Sequence, residues 1–286
     1  MCLTVLMLNP KPEKDGYRLV LAFNRDEFYE RPTKASEFWD RNPDIISGQD
    51  MTAGKEGGTW LGMSRSGRIA MLLNIIQPHG IDPDAKGRGS LVSDFLQGSL
   101  DGQTYLQGIA KERDLYNGFN LITVELGKSG GIDANYFTNY TPERMDPIKL
   151  KPGIHAFSNH TIRTSWLKTD YVKTEFEKII PRSSLDRGKL TEELLMMMSR
   201  DVPLVSSSDI SKEDMDIPKF RELLRELVFI KSNTYGTRTT TVILVDAAGN
   251  VSFTERTLKE PINPDHLEWE QRTHTFCLQD TWQTNL

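Results

Sequence analysis

Met1-Cys2-Leu3-Thr4-Val5-Leu6-Met7-Leu8, followed after a polar stretch by Tyr17-Arg18-Leu19-Val20-Leu21-Ala22-Phe23-Asn24-Arg25-Asp26-Glu27, decides how the chain is read. Residues 3–8 and 17–23 are short apolar runs joined by a polar turn over residues 9–16, the pattern of a β-hairpin. In a hairpin the far end of the second strand returns beside the start of the first. Asn24-Arg25-Asp26-Glu27 is therefore expected next to Cys2. No basic residue precedes the first run, no small-residue cleavage site follows it, and Lys11, Glu13, Lys14 and Asp15 come straight after. The run reads as a strand and not as a signal peptide.

Outward from this hairpin, residues 59–64 and 68–74 form a second one turned at Arg65-Ser66-Gly67. Ser90 is expected to cap a helix carrying Leu91, Val92, Phe95 and Leu96, and a second helix spans 104–113. Strands follow at 120–126, 135–138 and 153–158. Helical spacing then returns at Leu167, Tyr171, Val172, Phe176 and Ile179, at Leu190, Leu194, Met197 and Met198, and at Phe220, Leu223, Leu224, Leu227 and Val228. Residues 203–218, rich in Ser and Asp, read as an exposed loop. Strands at 239–246, 250–256 and 272–278 close the chain. Strands, then helices, then strands imply an α/β protein, residues 1–286 as one domain, with helices packed on stacked sheets.

The bulk composition narrows the function. A net charge of −5 over 286 residues lacks the basic excess of a nucleic-acid binder, and no apolar run reaches transmembrane length. Two cysteines, Cys2 and Cys277, give no disulfide framework and point to a reducing compartment, the cytosol first. The five histidines show no ligand spacing, so no metal site is expected. Cys277, in an alternating apolar run, reads as core.

Cys2 is the sharpest chemical feature. Removal of Met1 would place an α-amine of pKa about 7.7–8 beside a thiol of about 8.5, and a terminal amine can take a nucleophile's proton. The ordinary alternative is a buried strand residue. Arg25 within about 4–6 Å would depress the thiol pKa, and Asp26 could hold the amine. Strand neighbours face opposite sides, so one of Arg25 and Asp26 is expected on the Cys2 face. Asn74, Asn159 and Arg238 stand at strand ends; Asn side chains there serve as oxyanion donors or as plain turn residues. Lys86-Gly87-Arg88-Gly89-Ser90 opens a helix, where free N–H groups and Arg88 suit a phosphate or carboxylate.

Taken together, Met1-Cys2, Asn24-Arg25-Asp26-Glu27 with Arg31-Pro32, Gly57-Gly58-Thr59-Trp60-Leu61-Gly62, Gly87-Arg88-Gly89, Tyr116-Asn117-Gly118-Phe119-Asn120, Tyr235-Gly236-Thr237-Arg238-Thr239 and Phe253-Thr254-Glu255-Arg256 resemble the NRDE-motif family, that of transport and Golgi organization protein 2. The motifs run to about Cys277. That family in turn resembles the N-terminal-nucleophile hydrolases, so the resemblance implies a four-layer αββα sandwich. It implies Cys2 as nucleophile with Arg25 and Asp26 beside it, Asn74 and Asn159 as oxyanion donors and Arg238 as a second site arginine. Asn24, Glu27, Arg88 and Ser90 become candidate ligand contacts. It further implies a haem-handling protein moving haem from haem-rich compartments to the cytosol, with links to lipid metabolism and Golgi organization. An active cysteine amidohydrolase and an acyl-CoA-binding module are the alternatives. The expected setting is the cytoplasm, with contact at mitochondria or other organelle membranes.

Overall fold

A computed structural model describes residues 2–77, 80–127, 130–141, 143–164, 166–180, 186–200 and 226–279. The chain runs β1 (Cys2–Leu8), β2 (Tyr17–Phe28), β3 (Thr33–Trp39), β4 (Asn42–Asp50), β5 (Leu61–Ser64) and β6 (Arg68–Asn74), then α1 (Ser90–Gln97) and α2 (Gly102–Lys111). It continues through β7 (Phe119–Leu126), β8 (Ile132–Thr138), β9 (Ile148–Lys149) and β10 (Gly153–Phe157) to α3 (Leu167–Ile179) and α4 (Arg187–Met198). β11 (Tyr235–Asp246), β12 (Asn250–Leu258) and β13 (Trp269–Cys277) complete it.

Two antiparallel sheets result, ordered β10-β1-β2-β11-β12-β13 and β3-β4-β5-β6-β7-β8-β9. Alternation along each strand sorts the side chains into three cores. Leu6, Leu8, Leu19, Leu21 and Phe23 of the first sheet meet Met63, Ile69, Met71, Ile122 and Val124 of the second. On the outer face of the first sheet, Leu3, Val5, Val20 and Ala22 pack against Val172 and Phe176 of α3 and Leu190 and Leu194 of α4. On the outer face of the second, Ala70, Leu72 and Leu121 pack against Leu91, Val92 and Phe95 of α1 and Leu106 of α2. The layers are helix, sheet, sheet, helix: the αββα sandwich that the resemblance implies. Gly62 permits close approach of α1, because a Cβ there would stand 2.6 Å from Leu96 Cδ1. Arg68 ties the same layers by donating to the carbonyls of Phe95 and Leu100 while pairing with Glu125 at 2.7 Å.

Several sequence expectations change. β2 does not stop at Phe23 but runs through the polar residues to Phe28, because β1 pairs with it as far as Arg25 and β11 pairs with it to Phe28. β3 and β4 carry little alternation and escaped the reading. Ser90 is the first helical residue of α1, whose N-cap is Gly89 with no side-chain cap bond. Cys277 is exposed and not core: β13 is an edge strand, Phe276 takes the inward position, and Cys277 turns out to meet Asn250 Oδ1 at 3.1 Å. Leu167 is exposed as well. The expected loop at 203–218, and the part of the third helix over 220–225, lie outside the described residues; Leu227 and Val228 are not helical.

Candidate active site

Cys2 begins β1, and its Cα lies opposite Arg25 of β2. Directly opposed residues share a face, so the Arg25 side chain enters the space between the sheets with Cys2. Its guanidinium stacks 4.0 Å from the Trp60 ring, donates to Thr33 Oγ1 at 3.1 Å and stands 4.0 Å from Glu27. Trp60 is held by the Gly57-Gly58-Thr59 turn, where Gly58 and Gly89 are in backbone contact: a Cβ on Gly89 would sit 3.0 Å from Gly58 Cα. That packing couples the turn to the start of α1.

Asp26 turns the other way, as alternation predicts. Its Oδ1 accepts from Thr237 Oγ1 at 2.6 Å, and Lys168 of α3 acts on it with a positive charge. Burial pushes the Asp26 carboxyl above its ordinary range. Asp26 still reaches Cys2, through its charge and through its backbone N–H, which donates to the thiol. Burial pushes the Cys2 thiol up and the Asp26 charge adds to that; the amino-terminal charge, Arg25 and the Asp26 N–H pull it down but do not prevail. The depression expected from Arg25 is thus reversed. A thiol with 7% exposure loses more from desolvation than the neighbouring guanidinium returns.

Arg238 is the extra residue of a β-bulge, since Asp26 pairs with Thr237 and Arg25 with Thr239. Its buried side chain donates to the Phe28 carbonyl at 3.0 Å and to the Arg31 carbonyl, and pairs with Glu260 at 2.6 Å. It clamps the chain after β2 beside the site, and these contacts do not reach Cys2. Asn159 stands directly at Cys2. Its Oδ1 accepts from the Cys2 backbone nitrogen at 3.1 Å and from Ser158 Oγ, while its Nδ2 donates to the Asn74 carbonyl at 2.6 Å. One of its two N–H donors is thus used by Asn74, and the side chain holds the start of β1. Asn74 has an exposed side chain and lies two hydrogen bonds from Cys2 through that amide.

The candidate ligand contacts divide. Asn24 is fully buried with its side chain toward the helices, donating to the Met198 and Val228 carbonyls and accepting from Thr240 Oγ1. It is a structural tie and not a ligand contact. Glu27 pairs with Arg31 at 3.1 Å. Burial raises its carboxyl, but Arg25 and Arg31 outweigh that and hold it below the usual range. Arg88 is half-buried; among the described residues it donates one hydrogen bond, to the Gly118 carbonyl at 2.7 Å. Burial lowers its pKa to about 10, and the charges acting on it are those of Arg31, Glu27 and Cys2. The helix start singled out from sequence is therefore close enough for Arg88 to feel the charges of Glu27 and Cys2. Ser90 Oγ is exposed and bonds to the Gly87 carbonyl at 3.3 Å.

Two residues of the site escaped the sequence reading. Trp60 enters the sequence reading only as part of a hairpin strand and a motif. Lys168 was hidden in a helix, although its spacing with Val172 and Phe176 places it on the buried stripe. A cavity of about 190 Å³ between β10 and α3, lined by His155, Phe157, His160, Thr169 and Lys173, lies away from the thiol and is smaller than the ~300 Å³ of ordinary ligand pockets. Among the described residues no cluster of three His, Cys, Asp or Glu is placed to hold a metal ion, and no helix is long and apolar enough to cross a membrane.

The amine that loss of Met1 would create is the nitrogen already bonded to Asn159. Intact-mass analysis of the cellular protein is expected to find Met1 absent; retention on most molecules would remove this amine as a base.

Comparison with known proteins identifies the chain's relatives. The family described as Transport and Golgi organisation 2 matches residues 1–260. Transport and Golgi organization protein 2 homologs of Bos taurus and Homo sapiens are each 41% identical over 283 residues, 98% of this chain and 100% of theirs. The Drosophila melanogaster protein is 29% identical over 282 residues, 96% of this chain and 97% of its own. Among solved structures, a Caenorhabditis elegans N-acylethanolamine-hydrolyzing acid amidase ortholog aligns with a TM-score of 0.40 at 9% identity, over 85% of this chain and 92% of that one. A mutant conjugated bile acid hydrolase from Clostridium perfringens aligns at 0.39 and 10% identity, over 96% and 97%.

Proposed function

The chain belongs to the Transport and Golgi organisation 2 family, and on that premise we propose that it is a cytoplasmic haem-handling protein. It takes a large apolar ligand with anionic groups at the mouth beside Cys2 and exchanges it at mitochondrial or other organelle membranes. The observation that carries the anionic half of this reading is Arg88. A half-buried guanidinium with one backbone partner, adjacent to Arg31 and to the uncapped start of α1, has donors left for a carboxylate or phosphate. Haem propionates and the phosphates of acyl-CoA both fit that description. Haem itself enters from the family resemblance.

Arg88→Ala is expected to weaken haem binding by roughly 1.5–3 kcal/mol, the worth of a charge-assisted hydrogen bond, without unfolding the protein. Haem is titrated into both proteins and followed by its Soret band, with and without saturating acyl-CoA. Equal affinities would remove the helix start from the site. Displacement of haem by acyl-CoA would identify one shared pocket, and binding of acyl-CoA alone would replace haem as the ligand.

A second reading, a cysteine amidohydrolase, is favoured by the bond from the Cys2 nitrogen to Asn159 and by the pairing of Cys2 with Arg25. An acyl adduct on Cys2 after incubation with an activated amide would support it.

A further inference from the structure

Lys168 is the second residue of α3, a helix that packs on β1 and β10. Its side chain is 0% exposed, and among the described residues its Nζ has no hydrogen-bond partner. A buried ammonium is normally hydrogen-bonded or paired, because leaving water is costly. Here the Trp166 ring stands 5.4 Å from Nζ, and the charges that act on it are those of Asp26 and Cys2.

We propose that Lys168 is a positioning residue of the Cys2 site: a buried ammonium that offsets the Asp26 carboxylate and thereby sets the charge balance at the thiol. The geometry supplies the reason. Asp26 and Lys168 both lie on the helix side of β2, behind the strand position that carries Arg25 toward Cys2. The ionised Asp26 carboxylate disfavours the Cys2 thiolate, and the Lys168 charge acts against that carboxylate together with the chain's amino terminus. The chain's amino terminus also acts on Asp26 and on Cys2, whereas four other titratable groups near α3 are engaged elsewhere. His155 of β10 bonds to the Lys151 carbonyl, His160 lies against Trp166, Glu192 of α4 pairs with Arg256, and Glu175 of α3 pairs with Lys178 and Arg200. Burial lowers the Lys168 pKa to about 8, so the offset is present at neutral pH and lost just above it.

The test is the rate at which iodoacetamide alkylates Cys2, read by peptide mass spectrometry across pH in wild type, Lys168→Arg and Lys168→Met. Alkylation reports on the thiol whatever ligand the mouth takes, so its outcome is separable from that of the haem titration. At pH 7 the Arg variant is expected to match wild type, since both carry the charge. At pH 9 wild type has lost its ammonium and the Arg variant has not. The Arg variant should then react about tenfold faster, the effect of about one pKa unit on the thiolate fraction. The Met variant should match wild type at pH 9 and depart from it at pH 7. A purely structural lysine would change thermal stability and leave the shapes of these profiles alone. If the Met variant does not fold, wild type and the Arg variant decide: an inflection near pH 8 is expected in wild type and not in the Arg variant, whereas the α-amine of a processed Cys2 would titrate in both. An Arg variant that keeps every inflection of wild type, or a Met variant that tracks wild type at every pH, overturns the proposal.

Discussion

Replacing Glu255 with glutamine is expected to stabilise the protein by about 3 kcal/mol at pH 8 and to leave it unchanged at pH 4. Glu255 of β12 is 2% exposed, and burial raises its pKa from 4.5 to about 7 against the pull of the Ser36 hydrogen bonds, Arg272 and Arg25. The sign follows from linkage. A carboxyl whose folded pKa is raised holds its proton more tightly in the native state, so stability falls as pH rises from about 4.5 to about 7 and is flat outside that window. The displacement corresponds to about 3 kcal/mol. Glutamine keeps an oxygen to accept the Ser36 N–H, now at 2.7 Å from Oε1, and cannot ionise. Urea unfolding at the two pH values measures the difference; a glutamine variant no more stable than wild type at pH 8 would sink the account. Glu255 sits in Phe253-Thr254-Glu255-Arg256, a motif visible in the sequence whose buried carboxylate was not.

The hairpin of β1 and β2 was legible because both strands carry apolar residues on both faces and are separated by a polar turn. Its register then set Arg25 opposite Cys2 without further information. β3 and β4 were not legible. Glu37, Asp40 and Asp44 interrupt any alternation, and these strands are held by pairing with β5 and by the Trp39 Nε1 bond to Ser47 Oγ. Cys277 misled for a related reason: alternation identifies two faces but does not say which one is inward on an edge strand. In α3 the predicted face holds at Tyr171, Val172, Phe176 and Ile179, and fails only at its first residue. Lys168, Val172 and Phe176 form the inward stripe, while Leu167 faces solvent.

The site was legible at the level of which residues gather and not of what each does. The apolar run of the second strand ends at Phe23 in the sequence, which gives no sign that the polar residues after it are buried. Instead the strand continues between two neighbours, so Asn24, Arg25 and Asp26 are all nearly inaccessible. Burial then reverses the electrostatic expectation, since desolvation of the thiol exceeds what one ion-paired arginine returns. A sequence shows which charges are near one another in the chain; the dielectric around them appears only when the layers are packed.

Asn24→Ala is expected to cost about 3–4 kcal/mol of folding stability and to leave the chemistry of Cys2 in the folded protein unchanged. The side chain makes three hydrogen bonds with no access to water: Nδ2 to the Met198 carbonyl at 2.8 Å and the Val228 carbonyl at 2.9 Å, and Oδ1 from Thr240 Oγ1 at 2.8 Å. Met198 ends α4, and the last carbonyls of a helix have no partner within it. The sheet therefore supplies the C-terminal partner of that helix, and alanine leaves two acceptors and a hydroxyl buried without theirs. Each such group costs about 1–3 kcal/mol, reduced where the structure relaxes. Urea unfolding of the variant gives the loss, and iodoacetamide labelling of Cys2 in native conditions gives the chemistry. A loss below about 1 kcal/mol would mean that water or a neighbour replaces the amide. A change in labelling rate without a change in stability would move Asn24 back from the helix layer into the site. The expected pattern separates the four adjacent residues by face: Asn24 fastens the helices, Arg25 enters the inter-sheet space with Cys2, Asp26 bonds to Thr237 on the opposite side of the strand, and Glu27 pairs with Arg31. A period of two places four charged and polar neighbours in two environments, and for that reason a single motif can join a structural tie to a reactive centre.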